Sequence, residues 1–361
     1  MRIVIKIGTN LLTTKDSCLD KNRIKGIVSD VASLVKDGHE AVIVTSGAIC
    51  AGMGKLKLTS RPSSLNEKQA LAAIGQPILM NAYKECFDNS GIVIAQVLLT
   101  RSDFDQRQNY LNARGTLFAL LGKGVVPIIN ENDTVAVEEI NFGENDTLAA
   151  LVAAKIAANV LILLTDVDGL YKGAVGKSEI VSVVENITEE IEQYAKSTSG
   201  SGKGSGGMAS KINAAKIAVA NGVKTFIANG IKEHAILKVL SGEYTGTVFL
   251  PKEALDPRKC WIAFGAKCRG RIVVDEGAAA AIKEKNKSLL PSGIVSVEGK
   301  FEVGDTVSIL DGSGKETARG LSFYSSETIN KIKGKKTAEI KKMFPDADYE
   351  EVVHRDNLVV L

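Results

Sequence analysis

Short runs of β-branched and other apolar residues alternate along the first 250 or so positions with longer segments of helical periodicity. The runs are Ile3–Ile7, Ala41–Thr45, Ile92–Leu98, Val125–Ile129, Val160–Thr165 and Thr225–Ala228. Between them the spacing predicts helices around 20–37, 67–88, 105–121, 146–158 and 210–220. Fully apolar strands alternating with helices predict an α/β fold, an open and mostly parallel sheet covered by helices on both faces. The alanine content of Leu148–Ala158 suits a helix packed closely on such a sheet. After about Leu250 the pattern changes. Pro251 and Pro257 punctuate a linker-like stretch, and beyond it short strands (Ile272–Val274, Gly293–Val297, Thr306–Ile309) are bounded by glycines in the manner of a small β-rich barrel or sandwich. A boundary is therefore expected near residue 255, with an α/β domain over 1–255 and a small β-rich domain over 256–361.

Composition narrows the class. A chain of 361 residues, 45% hydrophobic and 24% charged, suits a soluble two-domain enzyme with a sizeable core. Its net charge of +3 gives no reason to expect a nucleic-acid or membrane-surface protein. The five cysteines form no C-x-x-C pair and the three histidines are scattered, which argues against a structural zinc site and for a reducing cytoplasm. No long apolar segment of a signal peptide follows Met1–Gly8. The longest apolar stretch, Leu148 to Leu164, is broken by Lys155 and Asn159 and reads as a helix followed by a strand.

The candidate chemistry lies at strand ends. The run from Ile128 to Leu151 closes an apolar strand, places Glu131, Asn132, Asp133, Asn141 and Glu144 beyond it, and enters an Ala/Leu-rich helix. In open α/β sheets that edge is where ligands bind, and a structural loop does not need so many convergent carboxylates and amides. Four glycine- or hydroxyl-rich turns accompany it. Lys6-Ile-Gly-Thr-Asn10 puts an ammonium inside an apolar strand, expensive unless it meets an anion, although an edge lysine that snorkels to water would look the same. Thr45-Ser-Gly-Ala48 has the small residues that let backbone N–H groups approach an anion, or is a plain tight turn. Gly202–Lys211 contains a nominal G-x-G-x-x-G that no strand precedes and fails as a Walker A loop; it is either a linker or a flexible loop whose Lys211, unfavourable at a helix start, faces a polyphosphate. Thr165-Asp-Val-Asp-Gly-Leu-Tyr171 follows a fourth apolar strand and reads equally as a nucleotide contact or an Asp-rich turn.

Lysines, glycine turns and an Asp/Asn cluster at strand ends suit phosphoryl transfer, which needs positioning and charge neutralisation more than acid–base chemistry. No His or Cys nucleophile constellation appears. An acceptor that is already an anion would explain the missing base, since a free carboxylate of pKa about 4.3 needs no deprotonation.

Eight segments carry a resemblance. IKIGTNLLT from Ile5, TSGAICAGMGKL from Thr45, LAAIGQPILM from Leu71, LLTRSDF from Leu98, YLNARGTL from Tyr110, the segment from Pro127 to Ala153, LLTDVDGLY from Leu163 and GSGGMASKINAAKIA from Gly204 together resemble the amino-acid kinase family. The NEND and FGEND elements point within it to the branch acting on the γ-carboxylate of glutamate. The region from Trp261 to the closing HRDNLVVL is similar to the PUA domain that many of these kinases append. The resemblance implies ATP-dependent phosphorylation of L-glutamate as the first step of proline biosynthesis, with Mg²⁺, a cytoplasmic homo-oligomer (a tetramer) and feedback inhibition by proline; the lability of the acyl phosphate product adds the expectation of an association with the reductase that consumes it. Carried over by position, Lys6 and Lys211 would neutralise the transferring phosphoryl group and Asp146 would hold both ammonium groups. Gly8 and the Ser46–Gly47 turn would supply backbone amides. Ser46, Asp133 and Asn145 would contact glutamate, while Thr165, Asp166 and the loop Ser205, Gly206, Gly207, Met208, Ala209, Ser210, Lys211 would hold ATP. No protein ligands are implied for the metal, which the ATP phosphates hold.

Two other readings compete. The same fold could serve another amino acid or small carboxylic acid, against which the Asp133/Asn145 pair argues, because an α-ammonium needs an anionic partner. An RNA-binding protein acting through the PUA-like region would use the basic run Lys331, Lys333, Lys335, Lys336, Lys341 and Lys342. Few aromatics are available there for stacking, and Asp346, Asp348, Glu350 and Glu351 follow closely, so a solvated charged face explains the run better.

Overall fold

The apolar runs have no polar face to give to water, so each must be covered by neighbours on both sides. The protein is described by a computed structural model over residues 1–14, 18–136, 144–197, 207–243, 245–251, 256–336, 339–340 and 350–361. It divides into two compact units, Met1–Ala254 and Leu255–Leu361.

In the first unit the strands are β1 (Arg2–Ile7), β2 (Glu40–Val44), β3 (Ile94–Leu99), β4 (Val126–Glu131), β5 (Val160–Thr165), β6 (Val183–Val184), β7 (Lys224–Asn229) and β8 (Gly246–Phe249). They form one sheet in the order β3-β4-β2-β1-β5-β7-β8-β6. From β3 to β7 every neighbouring pair is parallel; β8 runs antiparallel to β7 and β6 pairs parallel with β8. The predicted mostly parallel sheet is present, and the two short strands β6 and β8 escape the apolar-run reading because neither offers more than four residues of signal.

The helices are α1 (Thr9–Leu12), α2 (Lys21–Lys36), α3 (Ala48–Leu56), α4 (Leu65–Asp88), α5 (Ser102–Asp105), α6 (Arg107–Leu121), α7 (Glu144–Lys155), α8 (Glu189–Ser197), α9 (Met208–Ala220) and α10 (Ala235–Ser241). One main core joins β1, β2 and β5 to α2, α3, α4 and α10 through side chains such as Ile24, Val31, Leu71, Leu79, Tyr83 and Phe87. The alanines of α7 and α9, Ala149, Ala150, Ala153, Ala214, Ala215 and Ala218, are buried, and small side chains let these two helices approach each other.

Lys155, on the last turn of α7, is buried at 2% exposure with its ammonium over the rings of Phe104 (4.1 Å) and Tyr110 (4.4 Å). Burial pushes its pKa down to about 8, against the opposing pull of Asp103. The folded state therefore holds this proton less tightly than the unfolded chain, and stability rises with pH from about 8 towards the ordinary lysine value of 10.5. Lys155→Met is expected to be more stable than the parent at pH 7, with the difference, on the order of 2 kcal/mol, shrinking as pH rises through that window. Urea unfolding of both proteins from pH 7 to 10 checks this; a gap that does not narrow contradicts it.

The second unit carries a separate sheet of β9 (Gly270–Val274), β10 (Ile294–Glu298), β11 (Thr306–Leu310), β12 (Glu316–Leu321) and β13 (Leu358–Val360), in the order β10-β9-β11-β12-β13. Ile272, Phe301, Ile309, Ile329 and Val353 fill its core. Of the basic run, Lys331 and Lys336 are exposed and Lys333 and Lys335 half-buried, while Lys341 and Lys342 lie outside the described residues.

Candidate active site

The strand order reverses at β1: β2, β4 and β3 lie to one side, β5 and β7 to the other. The chain crosses that point once, through α7, which leaves the end of β4 and touches β4, β2, β1 and β5 before β5 begins. Its first turn consequently lies where β1 and β2 end, the topological switch point at which α/β sheets bind ligands. Residues far apart in sequence meet there.

Lys6 is the fifth residue of β1 and is 5% exposed. Its Nζ lies 2.6 Å from Asp146 Oδ1, and Lys211 Nζ, from the first turn of α9, lies 3.3 Å from Asp146 Oδ2. Asp146 is fully buried. Burial alone would raise the carboxyl's pKa, but the two ammonium groups outweigh it and hold the group below its ordinary value of 3.8. For Lys6 the balance falls the other way: burial lowers its pKa, Asp146 opposes that, and Lys211 adds to the lowering. One carboxylate thus serves two cations in a low-dielectric setting, with Asp166 adding a weaker pull on Lys6. That is the arrangement of an anion site.

Beside it, Asn145 Nδ2 donates to the Thr45 carbonyl (2.9 Å), to Ser46 Oγ (2.9 Å) and to Asn130 Oδ1 (3.2 Å). Its Oδ1 is buried with no hydrogen-bond partner among the described residues. Gly47 adopts φ +100°, the left-handed region open to glycine, and begins α3 without a side-chain cap, which leaves first-turn amides available. Asp133 lies in a cleft of about 290 Å³ together with Ala48, Gln76, Gln96, Glu131 and Thr134.

On the other side of β1, a Cβ placed on Gly8 would come 3.7 Å from Lys6 Nζ, so the backbone there runs next to the ammonium. Thr165 ends β5, and the next residue, Asp166, accepts from Asn10 Nδ2 at 3.0 Å. The following Asp168 is held below the ordinary carboxylate range by hydrogen bonds from Lys232 and Asn229, the latter at 3.0 Å, which tie the ends of β5 and β7 together. Gly207 precedes α9 with no side-chain cap, and its carbonyl accepts from the Ser210 and Lys211 N–H groups (3.0 and 3.4 Å), so Met208, Ala209, Ser210 and Lys211 make up the first turn of the helix. Ser205 and Gly206 lie outside the described residues, as do the FGEND residues up to Gly143.

The structure therefore brings Lys6 and Lys211 to Asp146, and Ser46 to the adjacent Asn145. Gln76, Asn130 and Tyr83 escaped the sequence reading. Asn130 donates to Gln76 Oε1 (2.8 Å), Gln76 donates to Gln96 Oε1 (3.1 Å), and the buried Tyr83 hydroxyl lies 2.9 Å from Thr45 Oγ1. A signal existed for Gln76. It occupies a position in the buried stripe Leu71, Ala72, Gly75, Leu79, Ala82 of α4, where a carboxamide needs a partner.

The model of the amino acid kinase family matches residues 1–229, and that of the PUA domain matches residues 270–344. Curated proteins named glutamate 5-kinase are similar throughout: one from Thermoanaerobacter sp. (strain X514) is 51% identical over 100% of this chain and 98% of its own length. One from Moorella thermoacetica is 49% identical over 100% and 96%, and one from Pelobacter propionicus 48% over 100% and 97%. A crystal structure of UMP kinase from Ureaplasma parvum is 16% identical and covers 69% of this chain and 99% of its own, with a TM-score of 0.46. The chain belongs to the amino acid kinase family and, within it, to the glutamate 5-kinases, with a C-terminal PUA domain.

Proposed function

We propose that this chain transfers the γ-phosphoryl group of ATP to the γ-carboxylate of L-glutamate, giving L-glutamyl 5-phosphate on the route to proline. The observation that carries the reading is the buried Lys6–Asp146–Lys211 cluster beside the unpartnered Asn145 carbonyl. A carboxylate oxygen of glutamate forms a bond to the γ-phosphorus, the bond from that phosphorus to the β,γ-bridging oxygen breaks, and ADP leaves with the electron pair. No proton is removed from the acceptor, which agrees with the absence of a general base from the reading. Lys6 and Lys211 face the charge that spreads over the transferring group, and Asp146 keeps the two ammonium groups apart and aimed.

Glutamate is held through its α-ammonium by Asp133 and by the Asn145 Oδ1 atom, a buried acceptor that otherwise lacks a donor. Ser46 and the amides after Gly47 take the α-carboxylate. Gly8, Thr165, Asp166 and the loop from Ser205 to Lys211 hold ATP, its phosphates facing the positive end of the α9 dipole. Mg²⁺ would be held by the ATP phosphates and would add its positive charge to that of Lys6 and Lys211.

The reading extends to a cytoplasmic homotetramer, inhibited by proline, that passes a labile acyl phosphate to its reductase; these rest on the family resemblance of the motifs. Among the described residues no helix is long and apolar enough to cross a membrane.

Trapping the acyl phosphate with hydroxylamine tests the reaction, using ATP, Mg²⁺ and, in turn, L-glutamate, L-aspartate, N-acetyl-L-glutamate and glutarate. Hydroxamate formed best with L-glutamate is the expected result. Preference for another acid would keep the phosphoryl transfer and overturn the substrate. No hydroxamate with any acid would overturn the reaction.

A further inference from the structure

A carboxamide has a donor end and an acceptor end, so a chain of them has a direction, and one unambiguous partner sets it throughout. Here that partner is the Thr45 carbonyl, which can only accept. Asn145 must turn its Nδ2 towards it, and the same nitrogen reaches Asn130 Oδ1 at 3.2 Å. With its oxygen used, Asn130 offers its Nδ2 to Gln76 Oε1 at 2.8 Å, and Gln76 in turn gives its Nε2 to Gln96 Oε1 at 3.1 Å. Asn130 is 2% exposed and Gln76 9%, while Gln96, on the edge strand β3, is exposed. Four carboxamides therefore run in one direction from the end of β2 to the rim of the cleft that contains Asp133.

The direction matters because of the atom at its inner end. Asn145 Oδ1 is buried and has no partner among the described residues. If Asn130 rotated by half a turn, its Nδ2 would face Asn145, repel the amide hydrogens there and favour the rotamer that presents Oδ1 to Asn130. The acceptor would then be filled from within the protein. The Thr45 carbonyl opposes that change at Asn145, and Gln76 opposes it at Asn130: by accepting from Asn130 Nδ2 it penalises the rotation, since a flipped Asn130 would set oxygen against oxygen.

We infer that Gln76 and Asn130 are positioning residues for acceptor specificity: they hold the Asn145 carboxamide with its oxygen open, and so create the preference for an acceptor that bears an α-ammonium. The inference rests on the proposed glutamate kinase reading. It assigns a purpose to polar groups that an apolar pair of the same shape could otherwise replace at little cost.

The test is the ratio of kcat/KM for L-glutamate to that for glutarate, which has both carboxylates and no ammonium, measured with the KM for ATP. In Gln76→Met the ratio is expected to fall about five- to tenfold, the worth of one hydrogen bond, through the KM for glutamate. The KM for ATP and the kcat with glutarate stay near the parent values. Gln76→Glu, whose carboxylate still accepts from Asn130, restores most of the discrimination. A merely structural amide pair would lower both acids alike and leave the ratio unmoved, and that result, or a Gln76→Glu variant as indiscriminate as Gln76→Met, would overturn the inference. Should Gln76→Met lack a cooperative thermal transition, Gln96→Met, changed at an exposed site, is read for the same ratio with a smaller fall. Failure of the parent to phosphorylate glutamate would count against the proposed function, whereas an active parent with an unmoved ratio counts against the relay alone.

Discussion

Asp146→Asn is expected to lower kcat by about a thousandfold or more and to destabilise the fold by about 3 to 5 kcal/mol. The carboxylate is fully buried between two ammonium groups at 2.6 and 3.3 Å, each 6% exposed at its side chain. Asparagine keeps the size and removes the charge. Two like charges then face each other in a poorly solvated space, and the protein answers by losing a proton from one lysine, by moving a side chain, or by unfolding. Each response removes an ammonium from the position needed to face a phosphoryl group. The two losses separate in a double variant. Lys6→Met added to Asp146→Asn removes one of the repelling charges, so stability is regained while activity stays low. Thermal melts and hydroxamate rates on the four proteins of that cycle check it. Activity of Asp146→Asn within tenfold of the parent would remove the carboxylate from the mechanism.

Asp146 also bears on pH. Because its folded pKa lies below 3.8, its stabilisation is complete above that value and is lost only as pH falls through the lower, folded one. Between pH 5 and 8 it contributes no slope, so acid sensitivity in that interval would have to come from elsewhere.

The second large effect is steric. Gly52 and Gly75 bring α3 and α4 into backbone contact: a Cβ on Gly75 would lie 1.8 Å from the Ala48 carbonyl oxygen, and one on Gly52 would lie 2.1 Å from that of Leu71. No side chain can swing away to relieve either clash, so the helices must separate. Gly75→Ala is expected to cost about 3 kcal/mol or more, at or beyond the upper end of overpacking penalties. It should also raise the KM for glutamate, because α3 starts at the Gly47 turn beside Ser46 and its first residue, Ala48, borders the Asp133 cleft. Gly26, in the interior of α2, supplies the contrast. Nothing lies within 4 Å of an added Cβ there, and Gly26→Ala is expected to stabilise by about 0.5 to 1 kcal/mol. Urea midpoints for the two variants and the parent decide the matter; a Gly75→Ala protein as stable as the parent would show that the interface can yield.

Much of the first unit was legible from pattern. β5, buried at all six positions, coincides with the predicted Val160–Thr165, because an unbroken apolar run has few other places to go. α3 was not legible. No predicted helix covers it, and only the close approach of α4 explains why a helix keeps Gly52 there. Lys6 could be singled out locally, since an ammonium inside an apolar strand demands a partner, but the partner's identity came only from the family resemblance. For Lys211, local reading left a polyphosphate-facing loop and a linker open, and for the Gly47 turn an anion contact and a plain tight turn.

The sequence by itself determined the class of each element, the parallel sheet, the change of pattern near the linker and, through its motifs, the family. These follow from local periodicity and from residue types in a fixed order, which survive without coordinates. Tertiary structure alone decided that β1 lies between β2 and β5 and that α7 crosses the switch point, and it set the distances at which Lys6 and Lys211 meet the Asp146 carboxylate. It also decided the direction of the carboxamide chain from Thr45 to Gln96. Strand order and hydrogen-bond direction are long-range properties: each depends on which surfaces are buried together, and no local spacing along the chain encodes that.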